Sequence, residues 1–371
     1  MHRDTLIVHA GFRKLTEPGP FLSGPQFSST YTAPGDPSRH TLTYGRSQNP
    51  TWTAWEDALG VLEGGKAVAF ASGMAAVSAA FGVTLRRGDI AVLPADCYYA
   101  IRHVASTWLE SIGVEVRLAP TRGGAQAAAL EGARLLWIES PTNPLLDVCD
   151  IRGLVDAARA RGTLVAVDNT TATAYLQQPL ALGATLVVAS DTKALTGHSD
   201  LVLGHVATRD DQLVEALRCW RTNHGAIPGP MEVWLAHRSL PTLPVRVSRQ
   251  SATAQQLAEL LASRPDISAV HYPGLSDHPG HAVAKRQMQA FGTLVSFDLG
   301  TRRRAEAFLA ALTLVREATS FGGVHSIAER RGRWGGDAVG EGFIRFSVGC
   351  EAAEDILSDV THALHAASAT P

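Results

Sequence analysis

Lysine is nearly missing from this chain: only Lys14, Lys66, Lys193 and Lys285 occur among its 33 basic residues, and arginine carries the rest of the positive charge. Cysteine is scarce too. Cys97, Cys149, Cys219 and Cys350 stand far apart with no CxxC pair, which argues against a zinc site and gives no disulfide framework. No stretch approaches the roughly 20 apolar residues that a membrane span needs. The N-terminal text "MHRDTLIVHAGFRKLTEPGP" lacks a long apolar core followed by a small-residue cleavage site, so no signal peptide is expected. Excess charge is lacking as well: a formal net charge of −2 gives no electrostatic reason to bind nucleic acid or an anionic membrane. These absences lead us to expect a cytoplasmic protein with neither nucleic acid nor membrane as partner.

What is present is 371 residues, 45% hydrophobic and 18% charged, enough for two domains and a large core. Residues 1–50 are rich in Pro, Gly, Ser and Thr without a clear period, and are expected to form an extended arm ordered by another surface. Residues 51–238 alternate short apolar runs ("AVAFAS", "IAVLPAD", "VEVRLA", "RLLWIES", "TLVAVDNT", "TLVVASDT", "VLGHVAT") with helical text such as "GMAAVSAAFGVTLRRG". Strands that are apolar throughout and separated by helices predict an α/β fold, a mainly parallel seven-stranded sheet covered on both faces. Residues 239–371 turn to long helices with strands "GTLVSFDL" and "GFIRFSVG", and are expected to form a smaller α+β domain.

In open α/β sheets ligands bind beyond the carboxyl ends of the strands. Those ends carry Ser72-Gly73-Met74, Asp96-Cys97-Tyr98, Glu139 to Asn143, Asp168-Asn169-Thr170 and Ser190-Asp191-Thr192-Lys193. Taken singly, each has a plain structural alternative: Ser72-Gly73 as an N-cap, Asp168 as a turn former, Tyr98 as a core aromatic. Taken together they suit pyridoxal phosphate, which needs a lysine for its Schiff base and an acidic partner at its ring nitrogen. Lys193 and Asp168 supply these. Gly73 and Met74 offer backbone N–H groups at a helix start for the phosphate, and Ser190 and Thr192 offer hydroxyls. Tyr98 would stack on the ring and Asn143 would bond its 3′-oxygen. Lysine is explained at 193 because arginine does not deprotonate.

The chain also resembles the Cys/Met-metabolism family of pyridoxal-phosphate enzymes, of fold type I. The matching text runs nearly end to end: "YGRSQNPTW", "LEGG", "FASGMAAVSA", "ESPTNPLLDV", "VDNTTAT", "SDTKALTGHSDLVLG", "HRSLPTLPVR", "YPGL", "FGGVHS" and "FIRFSVGCE". The resemblance implies the roles just given for Lys193, Asp168, Tyr98, Gly73, Met74, Ser190 and Thr192. It adds Tyr44 and Arg46, which in the family reach the cofactor phosphate of a neighbouring subunit, and so implies a homo-oligomer, a tetramer built from dimers with shared sites. It places Arg345 on the substrate α-carboxylate with Ser320 beside it. A bidentate arginine is the expected device for a carboxylate.

The text "SFGGVHSIAERRGRWGGD" departs from the family pattern. His325, Arg330, Arg331, Arg333 and Trp334 replace much of the usual substrate wall. His325 or one of these arginines, with Arg333 favoured, is expected to bind the distal head of the substrate or to stabilise the departing thiol; a structural histidine and solvated loop charges are the alternatives. The cysteine typical of methionine γ-lyases two residues past Tyr98 is absent, since position 100 is Ala100. The resemblance implies a transsulfuration lyase, cystathionine γ-lyase before γ-synthase or β-lyase. A non-catalytic binding subunit of the same fold is the alternative from another class.

Overall fold

The computed structural model describes residues 1–12 and 18–368; part of the expected arm (13–17) and the last three residues lie outside them. Seven strands form the main sheet: β1 (Lys66–Phe70), β2 (Ile90–Pro94), β3 (Glu115–Ala119), β4 (Leu135–Glu139), β5 (Leu164–Asp168), β6 (Leu186–Ala189) and β7 (Gly204–Thr208). Their order is β1-β7-β6-β5-β4-β2-β3. Only β7 runs against the others, pairing antiparallel with β1 and β6. All seven expected strands are present.

The alternation of faces explains why these runs read as apolar throughout. Ala67, Ala69, Val187 and Ala207 point to one core with Trp55 and Leu59 of the helix Pro50–Glu63. Val68, Phe70, Val188 and Val206 point to the other, with Phe81 of the helix Gly73–Thr84 and Leu217 of the helix Asp211–His224. Full burial of a side chain such as Phe81 contributes about 1.5–3 kcal/mol before entropy is counted. Helix starts are set locally. Asn49 accepts from Thr51 N–H ahead of Pro50, and Gly64 stops that helix at φ 74°, a left-handed turn that favours glycine.

A second sheet holds β8 (Ala269–His271), β9 (Leu294–Asp298), β10 (Arg316–Glu317), β11 (Ile327–Arg330) and β12 (Phe343–Ser347), in the order β10-β11-β12-β9-β8. It packs with the helices Leu243–Ala262, Arg302–Ala311 and Ala353–Ser368 around Phe297, Phe308 and Phe346. The N-terminal stretch is not extended throughout. Arg3–Val8 is helical and buries Ile7 in the core that holds Trp55; six residues are too few for a period to stand out in the sequence.

Candidate active site

The carboxyl ends of β4, β5 and β6 and the start of the helix Gly73–Thr84 meet the edge of the second sheet around a cavity of about 420 Å³. Gly73, Met74, Tyr98, Asn143, Asp168, Ser190, Thr192, Lys193, Ser320 and Arg345 all line it. These ten residues, singled out in the sequence, therefore converge. The close approach depends on glycine: a Cβ on Gly73 would lie 2.7 Å from Ser190 Cβ, and one on Gly204 would lie 2.6 Å from Gly73 Cα. Ser72 Oγ accepts from Ala75 N–H at 3.0 Å. Gly73 and Met74 N–H lie in the first turn, beyond reach of any helical carbonyl.

Lys193 Nζ donates to Ser320 Oγ at 2.7 Å and sits 5.0 Å from the centre of the Phe321 ring. Burial, reinforced by the Arg345 charge and opposed by Glu329, lowers its pKa to about 8. A useful fraction is then neutral amine near physiological pH. Ser320 holds φ 83°, a left-handed conformation that costs a serine energy. That turn lets its hydroxyl meet Lys193 while its carbonyl accepts from Arg345 Nη2 at 2.8 Å.

Asp168 and Glu139 are register partners on adjacent strands. Burial pushes the Asp168 carboxyl upward, against the pull of its hydrogen bonds with Thr170. Burial and the nearby Asp168 raise Glu139 as well. Glu139, which sequence reasoning did not select, accepts from Tyr98 N–H through one oxygen and from Asn143 N–H through the other, both at 2.8 Å. One carboxylate thus fixes two cavity walls. Burial, with Tyr99 edge-on beside it, drives the Tyr98 phenol up to about 12.

Arg345 is buried on β12. Its Nη1 donates to Asn143 Oδ1 at 2.8 Å, and its Nη2 donates to Glu329 Oε1 at 2.5 Å. Burial lowers its pKa to about 10, well above the neutral range, with Glu329 supporting the charge. Thr192 lines the cavity, but its hydroxyl donates to Leu203 O and accepts from Leu203 N–H, each at 3.0 Å; as it stands it has no proton to offer a phosphate.

Four expected residues do not line the cavity. Tyr44 and Arg46 are exposed, with Arg46 Nη1 donating to Thr222 O at 3.0 Å. His325 is exposed too. Arg333 points outward, pairing with Glu317 at 2.7 Å and Glu329 at 3.0 Å and lying over Trp334. The departing segment reaches the cavity through Arg331 and Trp334 instead. Arg331 is buried, with Nη1 donating to Glu329 Oε1 at 2.8 Å and Nε donating to Asp337 Oδ2 at 2.9 Å. No alternation in "IAER" singles out Glu329; its place follows from the register, in which it stands opposite Arg345.

The donor set fits pyridoxal phosphate. It holds an amine of lowered pKa for a carbonyl carbon, a buried carboxyl for a ring nitrogen, and a helix start with a serine hydroxyl for a phosphate. No helix among the described residues is long and apolar enough to cross a membrane.

Comparison with known proteins agrees with this chemistry. The model of the family "Cys/Met metabolism PLP-dependent enzyme" matches residues 4–365. A Streptomyces coelicolor protein provisionally named a cystathionine gamma-lyase is 56% identical, over 97% of this chain and 93% of its own. A Mycobacterium tuberculosis cystathionine gamma-synthase is 40% identical over 97% and 96%. The crystal structure of a methionine gamma lyase from Micromonospora echinospora superposes with a TM-score of 0.92 at 42% identity, covering 98% of this chain and 99% of the other.

Proposed function

The chain belongs to the Cys/Met metabolism family of PLP-dependent enzymes, and from that premise we propose that it breaks the Cγ–S bond of cystathionine. With one water consumed, the products are cysteine, 2-oxobutanoate and ammonia. The observation that carries this reading is the second buried guanidinium. Arg331 lines the same cavity as Arg345, and both bond Glu329. Cystathionine bears an amino-acid head at each end, and two carboxylates call for two cationic partners. A one-headed substrate such as homocysteine needs only one.

When bound, pyridoxal phosphate supplies the carbonyl that takes the substrate amine and the ring that accepts the electron pair of the broken bond. In this reading Asp168 holds a proton at the ring nitrogen, and Gly73, Met74 and Ser190 hold the phosphate. Asn143 meets the 3′-oxygen and Tyr98 covers the ring face. Arg345 grips the α-carboxylate. Lys193 Nζ would remove the proton from Cα and then one from Cβ, so that the pair left at Cβ breaks the Cγ–S bond, and would return a proton to the departing thiolate of cysteine. Its lowered pKa suits both tasks. Tyr44 and Arg46, exposed on the arm, complete the phosphate site of a neighbouring copy in a tetramer built from dimers.

Product analysis tests the assignment. Cystathionine, homocysteine, cysteine, and acylhomoserine plus cysteine are offered in turn. Cysteine with 2-oxobutanoate from cystathionine is expected to be the fastest outcome. Pyruvate with homocysteine would replace it by a β-lyase. Faster formation of cystathionine from acylhomoserine would replace it by the γ-synthase, for which the same two guanidinia would hold product.

A further inference from the structure

Beneath the Lys193 turn lies a buried ionic array that the reaction above does not use. His205 on β7 places Nδ1 2.6 Å from Asp191 Oδ1 and Nε2 3.1 Å from Glu63 Oε1. All three side chains are 1% exposed or less. Two carboxylates can both face ring nitrogens at hydrogen-bond distance only if both nitrogens carry protons, so the geometry is that of an imidazolium between two anions. His205 pairs with Ala189 in the sheet, and Val206 pairs with Val188, which lines the cavity. The array therefore occupies the sheet face opposite the cavity wall at Val188.

Its ends are informative. Asp191 stands two residues before Lys193. Glu63 is the last residue of the helix Pro50–Glu63, whose other end carries the Asn49 cap and the arm. The array thus spans from the arm-bearing helix, through β7, to the lysine turn. That turn is also held by backbone bonds, by Ser190 N–H donating to Thr170 Oγ1 at 2.9 Å, by Thr192 on Leu203, and by Arg246 donating to Ala194 O at 2.7 Å and Leu195 O at 3.1 Å. Burying three ionisable groups is a poor way to add stability, since apolar side chains of similar volume do as well or better. What an ionic array adds is a fixed length and direction.

We propose that Glu63, His205 and Asp191 form a positioning brace for Lys193, setting the turn at 190–193 so that Nζ stays against Ser320 and away from water. The proposal rests on Lys193 being the reacting amine and extends it to residues that touch neither cofactor nor substrate. Unbraced, the turn would relax, and the amine would regain solvent and its ordinary basicity.

The test uses the full chain freed of cofactor. Acylation by an amine-selective reagent is followed by mass spectrometry at Lys193 across pH, with Lys66 and Lys285 as internal standards. Cofactor affinity is read separately from reconstitution. The triple variant Glu63→Leu/His205→Leu/Asp191→Leu removes the charges together and leaves none orphaned; His205→Gln is the fallback should it not fold. Asp191→Asn keeps an acceptor for the ring and is the conservative rescue. In either disabled variant the Lys193 midpoint should rise from about 8 toward 10.5, by about one unit or more, and the Kd for pyridoxal phosphate should rise about tenfold. Asp191→Asn should lie near the parent. A folded, disabled variant with the parent midpoint and affinity overturns the brace and leaves the array as scaffold. Failure of the underlying lysine assignment shows elsewhere, as a cofactor absorption band unchanged in Lys193→Ala.

Discussion

Glu329 and Arg345 face one another across β11 and β12, and the 2.5 Å contact between them is shared with Arg331 at 2.8 Å through the same carboxylate oxygen. The other oxygen of Glu329 accepts from Trp334 Nε1 at 2.8 Å and Arg333 at 3.0 Å. A single fully buried carboxylate orders the arginine-lined end of the cavity.

Glu329→Gln should therefore damage substrate binding more than chemistry. Three arginines lose their shared counter-charge, and a buried charge left without its partner costs about 3–5 kcal/mol. We expect KM for cystathionine to rise at least tenfold, with a smaller change in kcat. A fall confined to kcat, measured by steady-state kinetics, would place Glu329 in the reaction itself.

Arg331→Met separates the two-headed substrate from one-headed ones. Loss of a buried charged contact is expected to lower kcat/KM for cystathionine by about 2–4 kcal/mol, with homocysteine little affected. His325→Ala and Arg333→Ala should show no such selectivity, because neither lines the cavity. Equal losses on both substrates would make Arg331 a wall and no more.

Much of this site was legible in the sequence, and the boundary has a physical cause. Residues at strand ends are placed by topology alone, so Asp168, Ser190 and Lys193 were found from alternating apolar runs. The wall at 324–337 is built by a short strand, Ile327–Arg330, that runs straight into a single 3-10 turn, Arg331–Trp334. Along such a turn side-chain direction changes by about a third of a circle per residue, so nothing in the text separates the buried Arg331 from the exposed Arg333. Glu139 was visible at a strand end, but nothing in the text shows that its two oxygens receive Tyr98 and Asn143.

Lys193→Ala should keep the fold and lose turnover, while still binding cofactor non-covalently. Asp168→Asn should slow exchange of the substrate α-proton by several orders of magnitude, since one preorganised electrostatic group contributes roughly 3–4 kcal/mol. Exchange followed by NMR in heavy water reads this directly, and an unchanged rate would remove Asp168 from its role.

The proposed sharing of sites makes a prediction about mixtures. Tyr44→Phe/Arg46→Ala subunits and Lys193→Ala subunits, each inactive alone, should recover part of the activity when refolded together. A mixed dimer then holds one site with all its parts. A fully active monomer in sedimentation at assay concentration would reject the arrangement.

The His205 array carries its own pH signature. Burial opposes protonation, but Asp191 and Glu63 together raise the imidazole from 6.5 to about 10. A base whose folded pKa is raised contributes stability that is complete below the unfolded value and declines as pH climbs to the folded one. The stability gap between parent and His205→Gln in urea should be constant below about pH 6.5, narrow steadily above it, and level off near pH 10. A gap independent of pH would mean that His205 is neutral.

The contact of Gly73, Ser190 and Gly204, where a Cβ added to either glycine would collide with its neighbours, divides the cavity into two kinds of territory. On that side neither glycine can gain a side chain without shifting the neighbours it presses against. Heritable change in what the enzyme accepts is less obstructed at the opposite rim, where Arg331 and Trp334 present side chains that one codon can replace. A library seeking new sulfur substrates is best spent there, on the residues around Glu329.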